Sequence, residues 1–169
     1  IATMPLNCLG AAMATYAAQN YGAGKPERIR KGVFQCILIS VSFSILMSLM
    51  NIFAGSKLAA IFVGNAETQV LSLAETYLTI NGAFYSVLAL LFIYRFTLQG
   101  LGNGLIPTVA GVMELIMRAF GALILVNSFG FAGACAANPL AWIGACIPLA
   151  IAYYVTIRKI APSSRISHT

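Results

Sequence analysis

A chain of 169 residues that is 60% hydrophobic and only 8% charged, with a mean hydropathy of +0.88, is not a water-soluble domain. An ordinary globular chain is about a quarter charged and needs that charge to solvate its surface, so lipid is the solvent implied here. The net charge of +6 comes from ten Lys and Arg against four acids, and the basic residues fall between apolar runs, as in membrane proteins whose basic loops stay in the cytoplasm, which sets nucleic-acid binding aside.

A helix needs about 20 apolar residues to cross roughly 30 Å of hydrocarbon, and the charges cut the chain into five segments of that order. The expected fold class is therefore an all-α membrane protein, a bundle of about five transmembrane helices. The first span, about 1–21, stops at Gly22-Ala23-Gly24-Lys25-Pro26, where Gly and Pro together end a helix. The second, 33–54, carries no charge. Residues 56–72 are too short and mixed to cross, and Leu58-Ala59-Ala60-Ile61-Phe62 reads as a short helix at the interface. The third and fourth spans are expected at 74–98 and 105–126. The fifth, 132–157, contains Pro139 and Pro148, kink candidates whose freed backbone neighbouring helices can satisfy in a bundle. It closes on Arg158 and Lys159, leaving 161–169 as a polar tail with the lone His168.

Alternating spans put Lys25, Arg28, Arg30, Lys31, Arg95, Arg158, Lys159 and Arg165 on or near one side and only Lys57 on the other. The positive-inside rule makes the first side cytoplasmic, with the carboxyl terminus inside and the amino end outside. Transporters are commonly built from repeated halves, and five helices that begin abruptly at Ile1 read as six less the first. An amino-terminal lobe is the expected partner, in a multi-pass protein of the bacterial plasma (inner) membrane.

An internal echo, Gln-x-x-Gly-x-Gly, occurs at Gln19-Asn20-Tyr21-Gly22-Ala23-Gly24 and Gln99-Gly100-Leu101-Gly102-Asn103-Gly104. A phosphate loop would need a preceding strand and a helix amino terminus; here a helix precedes each, so the expectation is carboxyl-terminal caps with left-handed glycines. The four cysteines, Cys8, Cys36, Cys135 and Cys146, lie in apolar surroundings without Cys-x-x-Cys spacing and read as small core residues.

The stretch from Met4-Pro5-Leu6 to Ala17-Ala18-Gln19-Asn20-Tyr21-Gly22-Ala23-Gly24-Lys25, followed by Arg28-Ile29-Arg30-Lys31-Gly32, resembles the second helix and following loop of a multidrug and toxic compound extrusion (MATE) lobe. Tyr94-Arg95-Phe96-Thr97-Leu98-Gln99-Gly100-Leu101-Gly102-Asn103, Gly111-Val112-Met113-Glu114-Leu115-Ile116-Met117-Arg118 and Asn138-Pro139-Leu140-Ala141-Trp142-Ile143-Gly144 are similar to that family's last three helices. The resemblance implies a twelve-helix, two-lobe transporter of which this chain supplies helices eight to twelve. It also implies alternating access and export of organic cations or xenobiotics in exchange for sodium ions or protons. The family's carboxyl-terminal lobe often carries a cation-binding acid on its seventh or tenth helix, and the tenth here has no acid at mid-span.

Two charges are expected deep in a span, Glu114 and Arg118, and such residues are functional candidates because burying them is costly. At about 1.5 Å per residue, Glu114 lies about 14 Å beyond Leu105, with Arg118 one turn on along the same face. Either Glu114 takes part in ion or proton coupling, or the two charges neutralise each other as a structural pair. Tyr77, Asn81 and Tyr85 share a stripe that could line a cavity, offering oxygen to sodium or hydrogen bonds to a drug, although polar residues also glue membrane helices together. Met113 and Met117, with Met4 and Met13, offer adaptable apolar surface or fill the core. Ser40, Ser42, Ser44 and Ser48 have no base nearby, so no hydrolytic triad is visible and no enzyme is expected. No cofactor beyond the coupling ion is expected, and no metal site can be read. Membrane lipid and a small organic cation are the other expected partners. The alternatives are a flippase or exporter of lipid-linked saccharides from the same superfamily, which would need more cations in its cavity, and a non-transporting membrane subunit.

Overall fold

The computed structural model describes residues 3–63 and 68–163. The expected tail beyond 163, with Arg165 and His168, lies outside the described residues, as does the link 64–67. Among the described residues every element is helical: α1 (Thr3–Gly22), α2 (Pro26–Val63), α3 (Thr68–Ala83), α4 (Tyr85–Gly100) and α5 (Leu105–Ser163).

The two glycine echoes cap helices in the same way. At the end of α1, Lys25 N–H donates to Asn20 O (2.9 Å) and Gly24 N–H to Tyr21 O (3.0 Å), with Gly24 at φ 65°. At the end of α4, Asn103 donates to Leu98 O (2.9 Å) and Gly102 to Gln99 O (3.0 Å), with Gly102 at φ 81°. Each pair of bonds satisfies carbonyls that the helix end would otherwise orphan. Pro26 then opens α2 at the position where a missing N–H costs nothing.

Three local expectations change. The backbone of α2 runs on to Val63, so the separate interfacial helix is instead the last part of α2. Between Phe53 and Val63 the only breaker is Gly55, which costs about 1 kcal/mol in a helix and does not stop one. The third span is two helices, α3 and α4, bent by 52° at Phe84 (φ −107°, ψ 10°). Here Ser44 Oγ of α2 lies within bonding distance of Tyr85 O (3.2 Å) as well as Ser40 O (2.8 Å); a side chain entering the ladder is a known cause of such bends. In α5, Pro139 and Pro148 leave the helix unbroken, and the non-helical residue is Gly130 (φ 58°, ψ −132°), in a region that other residues rarely enter.

Gly130 is the tip of a hairpin. Gly121 lies against Ala137, Gly133 meets the Leu125 backbone, and Gly144 meets Met117, so the arms 105–129 and 131–163 run antiparallel. The other pairings fix the remaining directions. Gly10 faces Phe96 and Gly100 faces Ala14, so α1 and α4 are parallel; Gly32 against Tyr16 sets α2 antiparallel to α1. Gly82 against Asn51 and Gly55 against Leu78 set α3 antiparallel to α2. Tyr85 with Trp142 and Tyr94 with Tyr153 set the second arm of α5 parallel to α4. The chain thus passes through the bundle five times, with Lys25 to Lys31 and Arg158 to Lys159 at one end, the basic end, and Gly130 at the other.

At the centre stands α4, packed against α1, α2 and α5. Tyr85, Leu88, Ala89, Leu91, Ile93, Tyr94, Thr97 and Leu98 are all buried, too many positions for one face, as expected of a helix enclosed by others. The outer helices bury only a stripe, such as Leu6, Gly10, Met13 and Ala17 of α1. Their remaining apolar surface points outward: 17% of the most apolar window of Pro26–Phe53 and 11% of that of Leu105–Ile160 is buried within the chain. A soluble protein does not leave such surface bare. Helices α2 and α5 are long and apolar enough to cross a membrane, and the bent pair α3 and α4 qualifies as a third span. The chain is an integral membrane protein.

Candidate functional site

The first cluster joins α4 to the first arm of α5. Glu114 bonds both of its carboxylate oxygens to arginines: Arg118 Nη2 donates to Oε1 at 2.7 Å and Arg95 Nη2 to Oε2 at 2.8 Å. The side chains of Glu114, Arg95 and Arg118 are 16%, 21% and 44% exposed. The expected Glu114–Arg118 pair is present, and a third member joins it from another helix. Arg95 had been counted only among the charges of the basic end. It lies five residues before the end of α4 in the run Leu90-Leu91-Phe92-Ile93-Tyr94-Arg95-Phe96, and the signal that finds it is elimination. Of the four acids, Glu114 alone is expected deep within a span, Glu75 lying at the far edge of the third, so a guanidinium held inside an apolar run has one counter-ion to reach. Two guanidiniums on one carboxylate leave the cluster with one net positive charge.

The second cluster lies at the bend between α3 and α4, where they cross α2. Asn81 is 2% exposed and Asn51 7%; Asn81 Nδ2 donates to Tyr77 O at 3.0 Å. Asn81 Oδ1 is buried without a hydrogen-bond partner, and such an atom costs free energy in a medium of low dielectric. Asn51 lies within reach of the Tyr85 phenol, and Gly82 packs beside Asn51 and Ser48.

The bend also divides the expected stripe. Tyr85 is buried and stacks at a tilt on Trp142 (centroids 6.5 Å, 37°), whereas Tyr77 is 43% exposed. Asn81 and Tyr85 therefore face the interior and Tyr77 does not. Met113 points outward at 40% exposure, while Met117 packs against Gly144 inside the α5 hairpin. Sequence reasoning passed over Asn51, whose place opposite the bend only the fold reveals. Ser44 serves the backbone, as above. Cys8 is exposed, Cys135 is buried, and Cys36 and Cys146 are half-buried, all as free thiols; Cys8 is thus an outer-face residue, not a core one. Among the described residues no group of three or more His, Cys, Asp or Glu is placed to hold a metal ion.

Comparison with known proteins agrees with this architecture. The family described as MatE matches residues 1–124. The chain is similar to a solved structure, an inward-facing conformation of a multidrug resistance MATE family transporter of the MOP superfamily, with a TM-score of 0.88 at 16% identity. The superposition covers 96% of this chain and 38% of that one, so the chain spans well under half of that transporter's length.

Proposed function

Since the chain belongs to the MatE family, we propose that it serves within the carboxyl-terminal lobe of a secondary antiporter. That antiporter exports organic cations or xenobiotics in exchange for sodium ions or protons by alternating access. The family match over residues 1–124 carries the reading, and the amino-terminal lobe of the same protein supplies the other cavity wall. In this reading the basic end faces the cytoplasm, since basic connectors are retained there.

The geometry favours different roles for the two polar clusters. Both oxygens of Glu114 are already bonded to guanidiniums, so Glu114 acts as the counter-ion that holds α4 to α5. Coupling belongs instead to the bend, where the unpartnered Asn81 Oδ1 is available to a cation or hydrated proton and broken membrane helices expose further carbonyls. Organic substrate then meets the apolar surface around Met113.

The test is gradient-driven ethidium transport by the whole two-lobe transporter in proteoliposomes. Uptake should follow an imposed sodium or pH gradient and cease when it is collapsed. Asn81→Ala should lower the gradient dependence, while folded Glu114→Gln protein should retain it. Uptake indifferent to both gradients, or lost coupling in well-folded Glu114→Gln protein with Asn81→Ala unaffected, contradicts this reading. The chain alone should not transport, and ethidium efflux by it would overturn the need for a second lobe. The net positive charge of the Arg95–Glu114–Arg118 cluster supports a second reading, a carrier of anionic lipid-linked saccharide, which predicts competition by such lipids instead of by ethidium.

A further inference from the structure

At the basic end, the start of α2 and the end of the second α5 arm enclose a cavity of about 410 Å³. Arg30 and Arg158 stand at its mouth, Tyr153 and Tyr154 line one wall, and Phe34 and Ile37 line the other. Arg30 is four residues into α2 and Arg158 five residues before the end of α5, which at about 1.5 Å per residue places the backbone of each roughly 6–8 Å inside its helix end. Tyr154 and Phe34 follow one turn deeper and Ile37 nearly two, so the lining passes from cationic to phenolic to aliphatic toward the middle of the bundle. Phe34 is 63% exposed, so the deep part of the groove opens sideways.

The charge at the mouth is unbalanced. Glu27 approaches Arg30 at only 3.9 Å, and both side chains are largely exposed (72% and 60%), a pairing of little strength. Arg158 has no acidic partner among the described residues. The Arg30 charge also lies within electrostatic reach of the Tyr153 phenol, which brings the two helices' contributions together at one point. Two guanidiniums that converge above phenols and an aliphatic floor match the order of groups along a phospholipid: phosphate, glycerol ester, acyl chain. Basic pockets between membrane helices bind anionic headgroups on this principle.

We propose that this groove is a binding site for one anionic phospholipid, its phosphate held between Arg30 and Arg158 and an acyl chain laid along Phe34 and Ile37. The proposal needs only the membrane fold and does not depend on the transport reading.

The probe is phosphatidylglycerol, titrated into the delipidated chain in detergent and counted by native mass spectrometry against phosphatidylcholine. One phosphatidylglycerol should bind saturably and in clear preference to phosphatidylcholine. Arg30→Gln and Arg158→Gln should each weaken it about five-fold, and the double variant should bind both lipids alike. Lys25→Gln/Lys31→Gln removes two charges from the same end but outside the cavity, and should leave binding unchanged. Both arginines are on the surface, so folding is expected to survive, and the single variants decide the matter if the double variant aggregates. Equal binding of the two lipids contradicts the proposal, as does an undiminished double variant or an equal loss in the lysine variant, which would mean diffuse attraction to a basic surface. Displacement by soluble glycerol phosphate at matching concentration would also overturn it, since the site would then hold a free anion, and so would loss of the lipid when the whole transporter replaces the chain, since protein would then fill the groove.

Discussion

Two polar clusters sit toward opposite ends of α4 and are built on opposite plans. Against α5, Glu114 closes on Arg95 and Arg118, and both carboxylate oxygens are occupied, with Arg95 Nε alone left over. Against α2, at the bend, the buried Asn51 and Asn81 bring neutral groups together, and Asn81 Oδ1 is left without a hydrogen-bond partner. The difference follows from what a low dielectric tolerates. An unpaired ion inside a membrane protein costs enough to be rare, so ionic groups must be closed off by partners. An unpaired amide costs about 1–3 kcal/mol, little enough to be carried where a ligand completes it. The closed cluster is therefore read as structure and the open one as the place where something binds.

The largest expected effect comes from opening the closed cluster. Glu114→Gln leaves Arg95 and Arg118 without their shared counter-ion, and breaking a buried ion pair costs about 3–5 kcal/mol; unfolding of the detergent-solubilised protein should shift to correspondingly milder conditions. Arg95→Gln should cost more than Arg118→Gln, because Arg95 is 21% exposed and bridges two helices, whereas Arg118 is 44% exposed on the same helix as Glu114. Unchanged stability in Glu114→Gln, or the reverse order of the two arginines, would remove the distinction between the clusters. A smaller effect is expected at the bend. Asn51→Leu removes a neutral amide within reach of the Tyr85 phenol, so it should cost about 1 kcal/mol while impairing gradient-driven transport. A destabilisation as large as that of Glu114→Gln would show the bend to be as closed as the α5 cluster.

The parts of this fold that were legible in the sequence are those set by local chemistry. Gly24 and Gly102 mark helix ends because the left-handed cap needs them, and both positions take up that conformation. Composition alone required lipid. Less legible was whatever depends on contacts between distant segments. The bend at Phe84 has no proline and comes where Ser44 and Asn51 of α2 meet the start of α4 and the end of α3. The prolines at 139 and 148 suggested kinks and leave the helix unbroken, whereas the reversal at Gly130 falls in the link Asn127-Ser128-Phe129-Gly130-Phe131 between the expected fourth and fifth spans. Glu114 and Arg118 could be paired by their spacing of four. Arg95 could be added only by noticing that it had no other acid within reach.

Every step rests on the chain passing five times through lipid with its basic connectors together. Single cysteines placed at 28, 158 and 130, after the native cysteines are replaced by alanine, can be labelled in sealed vesicles with a reagent that does not cross the bilayer. The account predicts that positions 28 and 158 react from the same, cytoplasmic face and position 130 from the other. Reaction of 28 and 158 from different faces, or of 130 together with them, would contradict it.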